Sequence, residues 1–146
     1  MPLCVHNTTE IQLVLQAYRL GNDLMVSITG GQAHLGAVAL ATPRPSRRQP
    51  CQGSADAHVL TVSGHKEDLL ARAAALALCT ALGVPVSVSC GIHITAFTPQ
   101  CASLINALVH QLINDALTAM RTAPAQQHYS CTRCAPLPSI QEQPCD

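Results

Sequence analysis

The sequence predicts a single α+β domain, of α/β composition, with one mixed β-sheet and two helices packed on one of its faces. Three observations predict it. Period-two alternation of apolar side chains runs through Glu10–Arg19, and three more strand-like segments follow before any helical pattern begins. Two helical stripes then flank a fifth, almost continuously apolar strand, so the order in the chain is ββββαβα. The length, 146 residues, suits one hydrophobic core, and no internal repeat is evident.

The first strand places Ile11, Leu13, Leu15 and Ala17 on one face and Gln12, Val14, Gln16 and Tyr18 on the other. Gly21-Asn22-Asp23 is a turn signal, and Leu24–Thr29 returns as the second strand of a hairpin. Gly30-Gly31 breaks that strand, and Gly36–Ala41 reads as the third. Pro43, Pro45 and Pro50, with Arg44, Arg47, Arg48, Gly53 and Ser54, mark Thr42–Asp56 as a long exposed loop. Ala57–Val62 is the fourth strand. Lys66–Leu82 is helical, with Leu69, Leu70, Ala73, Leu76, Ala77 and Leu82 over its face, acidic Glu67 and Asp68 in the dipole-favoured first turn, and Gly83 as a stop. Val84–Cys90 is the fifth strand. Thr98 caps the second helix and Pro99 takes its first position, after which Leu104/Ile105, Leu108/Val109 and Leu112/Ile113 form an amphipathic stripe. From Thr122 onward Pro124, Pro136, Pro138 and Pro144 stand among polar residues, and residues 122–146 read as a flexible tail containing proline and cysteine.

Composition excludes several classes of function. Eight basic and eight acidic side chains leave no net charge, and the only aromatics are Tyr18, Phe97 and Tyr129. A nucleic-acid surface needs a basic face or stacking platforms, and neither is present. With 48% apolar residues and 11% charged, the chain is a folded protein suited to self-association. The longest apolar stretch, Ala71–Val86, holds Arg72, Thr80, Gly83 and Pro85, so no membrane span is expected. Met1–His6 lacks the basic and apolar regions of a secretory signal, and the expectation is a soluble cytoplasmic protein with reduced thiols. Of eight cysteines, Cys79, Cys90 and Cys101 fall in helix and strand patterns as small hydrophobes. Cys131-Thr132-Arg133-Cys134 has no second pair, and a zinc site would need Cys4, Cys51 or a histidine to complete it.

Chemistry concentrates in three histidines, each in a glycine-bearing strand-end segment: His34 in Gly30-Gly31-Gln32-Ala33-His34-Leu35-Gly36, His65 in Gly64-His65-Lys66-Glu67-Asp68, and His93 in Gly91-Ile92-His93. Glycine permits a sharp turn or close approach, and imidazole accepts or donates a proton or binds a metal. At Gly64-His65-Lys66 a strand end meets a helix start, where backbone N–H groups and the Lys66 charge suit a phosphate, although Glu67 and Asp68 oppose one. His34, His65 and His93 with a water also match a catalytic zinc site, while the simplest alternative is that each histidine caps its own strand on a carbonyl. Gly30-Gly31 opens no helix, so neither a P-loop nor a dinucleotide fingerprint fits.

Leu24–Gly31, His34–Ala39, Gly64–Asp68 and Gly91–His93, in this order, resemble the small prenylated-flavin chaperone that accompanies gallate decarboxylase and related prenylated-FMN-dependent decarboxylases. The resemblance covers roughly residues 10 to 120, giving a chaperone-like domain over residues 1–121. It implies a dimeric fold similar to proteasome-assembly chaperones. It also implies binding of reduced prenylated FMN and delivery to an apo-decarboxylase, without chemistry on a substrate. Carried over by motif, Gly30, Gly31, His34, Gly36, Gly64, His65, Lys66, Gly91 and His93 become the candidate cofactor contacts, with no catalytic residue. Thr42–Asp56 and the tail depart from the pattern. Two readings compete with the carrier: a metal-dependent hydrolase or lyase using a divalent metal on His34, His65 and His93, and an assembly chaperone that binds only protein.

Overall fold

A computed structural model of the chain describes residues 10–47, 52–95, 97–122 and 128–137. Cys4, Arg48, Cys51 and Cys145 lie outside them. Six strands and two helices run in the order β1 (Glu10–Leu20), β2 (Asp23–Gly31), β3 (Ala37–Pro45), β4 (Gly53–Thr61), α1 (Asp68–Leu82), β5 (Val86–His93), α2 (Pro99–Thr122) and β6 (His128–Pro136). One mixed sheet has the spatial order β4-β3-β5-β2-β1-β6. Among the described residues only β2 and β5 pair in parallel, which brings their carboxyl ends side by side.

The alternation in β1 decides which face is buried. Ile11, Leu13 and Leu15 are wholly inaccessible, as are Ile28 of β2, Ala39 and Ala41 of β3, and Val86 and Val88 of β5. Both helices cover this face, α1 over β3, β4 and β5, and α2 over β1 and β6. α2 follows expectation: Thr98 Oγ1 accepts from Cys101 N–H at 3.4 Å and the apolar stripe faces inward. α1 differs from the leucine-based expectation. Its buried stripe is Ala71, Ala74, Ala75, Leu78 and Cys79, whereas Leu69 is 73% exposed. Small side chains on α1 meet small side chains on β3 (Ala37, Ala39 and Ala41), and close packing of helix on sheet follows from that match. Among the described residues, no helix is long and apolar enough to cross a membrane.

Two further expectations are corrected. Most of the stretch read as a loop, Thr42–Asp56, continues the β3–β4 hairpin, with Thr42 opposite Asp56 and Pro45 opposite Gly53. Pro43 and Pro45 are tolerated because, among the described residues, β5 pairs with β3 only over Ala37–Ala41, leaving that edge of β3 beyond Ala41 without a strand to receive an N–H. Arg44 Nε donates to Asp56 Oδ1 at 2.7 Å across this extension. Within the segment read as tail, His128–Pro136 pairs antiparallel with β1, and Arg133 Nε donates to Asp115 Oδ2 of α2 at 2.7 Å. Cys131 stands opposite Leu15 and Cys134 opposite Gln12, which puts the two thiols on opposite faces of β6. They cannot share a disulfide or a metal there.

Candidate functional site

Register between β2 and β5 sets Gly31 opposite His93 at the carboxyl ends of the parallel pair, the place where open sheets with parallel strands leave a crevice for ligands. The chain leaving β2 crosses the end of β5 before entering β3. Gln32 N–H donates to the His93 carbonyl at 3.2 Å, and Gly36 N–H donates to the Cys90 carbonyl at 3.0 Å. Such a crossing leaves no room for a Cβ at two positions. One on Gly91 would stand 1.7 Å from the His34 carbonyl oxygen, and one on Gly31 would stand 1.9 Å from that of His93.

The β4–α1 connection arrives from the other side. Val62 N–H donates to the Gly36 carbonyl at 2.8 Å, and His65 N–H closes a turn on the Val62 carbonyl at 3.1 Å. This turn delivers His65 to His34: Nδ1 of His65 lies 3.0 Å from Nε2 of His34, with ring centroids 4.5 Å apart. His93 joins edge-on, its centroid 6.3 Å from that of His34. The three histidines therefore converge. The other Nδ1, that of His34, faces the Gln32 carbonyl at 3.1 Å. A carbonyl only accepts, so this nitrogen carries the proton and the lone pair of the neutral ring is on Nε2.

Glu67 is the residue that sequence reasoning missed. Its place at the helix start suggests a role at the helix dipole, yet it precedes α1, makes no side-chain cap, and turns its carboxylate into the site with only 9% of the residue exposed. Oε2 accepts from Lys66 N–H at 3.0 Å and Oε1 from Ile92 N–H at 3.4 Å. Its nearest side-chain neighbours are imidazoles, Oε1 at 3.4 Å from His34 Nε2 and Oε2 at 3.6 Å from His65 Nδ1. A Cβ on Gly36 would fall 2.5 Å from Oε2, so that glycine makes room for the carboxylate. The available signal was the spacing His65-Lys66-Glu67, a carboxylate two residues after a site histidine.

The remaining candidates have distinct places. Gly64 sits in the turn with φ +85° and open space around its Cα, Lys66 is exposed, and Gly30 packs its backbone against the Leu13 side chain. Exposed apolar residues gather beside the same motifs: Leu35, Val62, Leu69 and Phe97 each lie within four residues of a site histidine in sequence.

Beneath the carboxylate, burial and then the charge of Glu67 push the Cys90 thiol up to about 12. The folded chain therefore keeps a proton that the unfolded chain releases above 9.0. This contribution to stability is complete below pH 9 and is lost as pH rises toward 12. Denaturation midpoints measured from pH 8 upward are expected to fall above pH 9, and less steeply in Cys90→Ala. In the native protein at pH 8, iodoacetamide is expected to label exposed Cys134 and spare Cys90.

Fold and site together define a small α+β domain whose polar cluster lies at the carboxyl ends of two parallel strands. The chain belongs to the family described as the prenylated flavin chaperone LpdD-like domain, whose model matches residues 7–121. Among curated proteins, none matches the chain.

Proposed function

We propose that the protein is a non-catalytic cytoplasmic carrier that binds reduced prenylated FMN and hands it to an apo-decarboxylase of the prenylated-flavin-dependent type, the gallate decarboxylase class. The observation that carries this reading is the convergence of His34, His65 and His93 where β2 and β5 end beside the start of α1. The terminal backbone N–H groups of α1 and the exposed Lys66 suit the phosphate. Leu35, Val62, Leu69 and Phe97 offer apolar surface for the flavin rings without the stacked aromatics that would hold them too tightly to release. Gly31, Gly36 and Gly91 act through the close approaches they permit, and Gly30 and Gly64 through strand and turn.

A homodimer is part of the reading. On the face of the sheet away from the helices, Leu40, Ser87, Met25 and Tyr18 line up across four strands, beside Leu60 at 79% exposure. This row of four contains no charged residue, and the same row of a second copy covers it without burying an ion.

The test is an anaerobic titration with reduced prenylated FMN. Saturable binding by the wild type and its loss in a folded variant carrying His34→Ala, His65→Ala and His93→Ala are the expected results. Binding retained by that variant would return the histidines to strand caps. Absence of flavin binding by the wild type, with a stable flavin-free complex with the decarboxylase, would leave a chaperone acting through protein contact alone.

A further inference from the structure

We propose that His34 Nε2, His65 Nδ1 and a Glu67 carboxylate oxygen form the protein half of a divalent transition-metal site, whose remaining positions take an anionic oxygen of the carried ligand. The second half of the proposal deepens the flavin-carrier reading and rests on it; the first half stands on geometry. Each of the three residues offers one ligand atom, and these atoms lie within 4.8 Å of one another. Bonds of about 2.1 Å at tetrahedral or octahedral angles separate neighbouring ligand atoms by about 3.0–3.4 Å. The separations here are 3.0 Å between the nitrogens, 3.4 Å from His34 Nε2 to one carboxylate oxygen, Oε1, and 3.6 Å from His65 Nδ1 to the other, Oε2, so the carboxylate faces the two nitrogens with both of its oxygens.

The surroundings orient these atoms as ligands. The Gln32 carbonyl holds the proton of His34 on Nδ1 and leaves Nε2 free to coordinate, as outer-shell carbonyls do for metal-bound histidines. Lys66 N–H and Ile92 N–H hold the carboxylate. Two imidazoles and one carboxylate with open positions suit zinc, iron, cobalt or manganese rather than calcium.

Charge gives the second argument. A phosphate or other anion beside Glu67 meets a carboxylate whose nearest side-chain neighbours are both histidines. With neutral imidazoles the cluster carries a charge of about −1, and a divalent ion reverses it to about +1. The ion thereby makes an acidic cluster attractive to an anion. His93, edge-on to His34 and outside the group of three, remains available to the ligand.

The test begins with the metal alone. EDTA-stripped protein is titrated with Co²⁺, followed by visible absorption and by metal analysis after gel filtration. One ion per chain is expected. Glu67→Gln and His34→Ala, each checked for folding by circular dichroism, are expected to weaken binding about 100-fold, while His93→Ala changes it less than about 3-fold. No stoichiometric binding by the wild type, or equal loss in His93→Ala, overturns the assignment. Reduced prenylated FMN is then titrated into zinc-loaded and EDTA-treated protein, and at least a 10-fold gain with metal is expected. Equal affinity in both overturns the ligand-bridging half and leaves the carrier reading standing. Metal binding with no flavin binding in either form overturns the bridging half and the carrier reading, and leaves the metal site.

Discussion

Replacing Gly91 by alanine is expected to destabilise the fold by about 3 kcal/mol and to dismantle the histidine cluster. The new Cβ would lie 1.7 Å from the His34 carbonyl oxygen, 2.5 Å from its carbonyl carbon and 3.3 Å from the Gly36 nitrogen. All three are backbone atoms, so no rotamer change relieves the overlap. Either the 32–36 crossing lifts away, breaking the Gly36 N–H to Cys90 carbonyl bond, or β3 separates from the end of β5. Both routes carry His34 away from His65 and Glu67. Gly64→Ala is the control: its φ is +85° but nothing lies within 4 Å of the added carbon, so only the left-handed backbone cost of about 1–2 kcal/mol applies. Urea denaturation of both variants, with histidine NMR shifts as a local reporter, tests the comparison. Equal midpoints, with unchanged histidine shifts in Gly91→Ala, would mean that the crossing is looser than described.

Leu112→Ala is expected to cost about 2–5 kcal/mol while leaving the site intact. Leu112 is wholly buried on the inner stripe of α2, which packs on α1, β1 and β6. The site is carried instead by the ends of β2 and β5, the 32–36 crossing and the entry to α1. A cavity under α2 therefore lowers the denaturation midpoint without moving a histidine. Ligand affinity measured well below the transition is expected to match wild type within about 2-fold, because distant sites without shared partners act independently. A parallel fall in affinity would show that α2 positions the cluster.

These two positions also differ in how far the sequence announces them. Leu112 belongs to a stripe whose period alone assigns it to the core. Gly91 was legible as a glycine needed near a strand end, but the atom that excludes a side chain there belongs to His34, far away in the chain. Glu67 was harder still. A carboxylate in the first turn of a helix has a sufficient local explanation in the dipole, and only the arrival of His34 and the Ile92 amide supplies the other one. β6 escaped notice because its inward residues, Tyr129, Cys131, Arg133 and Ala135, do not form an apolar alternation. An edge strand needs a partner backbone more than a hydrophobic face, and Asp115 of α2 supplies the ionic partner for Arg133.

By itself the sequence determined the succession ββββαβα, the two faces of β1, the cap and first turn of α2, and the glycine-framed histidine motifs that resemble the prenylated-flavin chaperones. All of these are written in local periodicity and in residue types whose conformational preferences act over a few positions. Only the tertiary structure decided that β5 enters between β3 and β2, that His93 therefore comes opposite Gly31, and that His34, His65 and Glu67 meet within hydrogen-bonding range. Pairing of strands distant in sequence depends on which buried faces fit together across the whole core, and no local pattern encodes that choice.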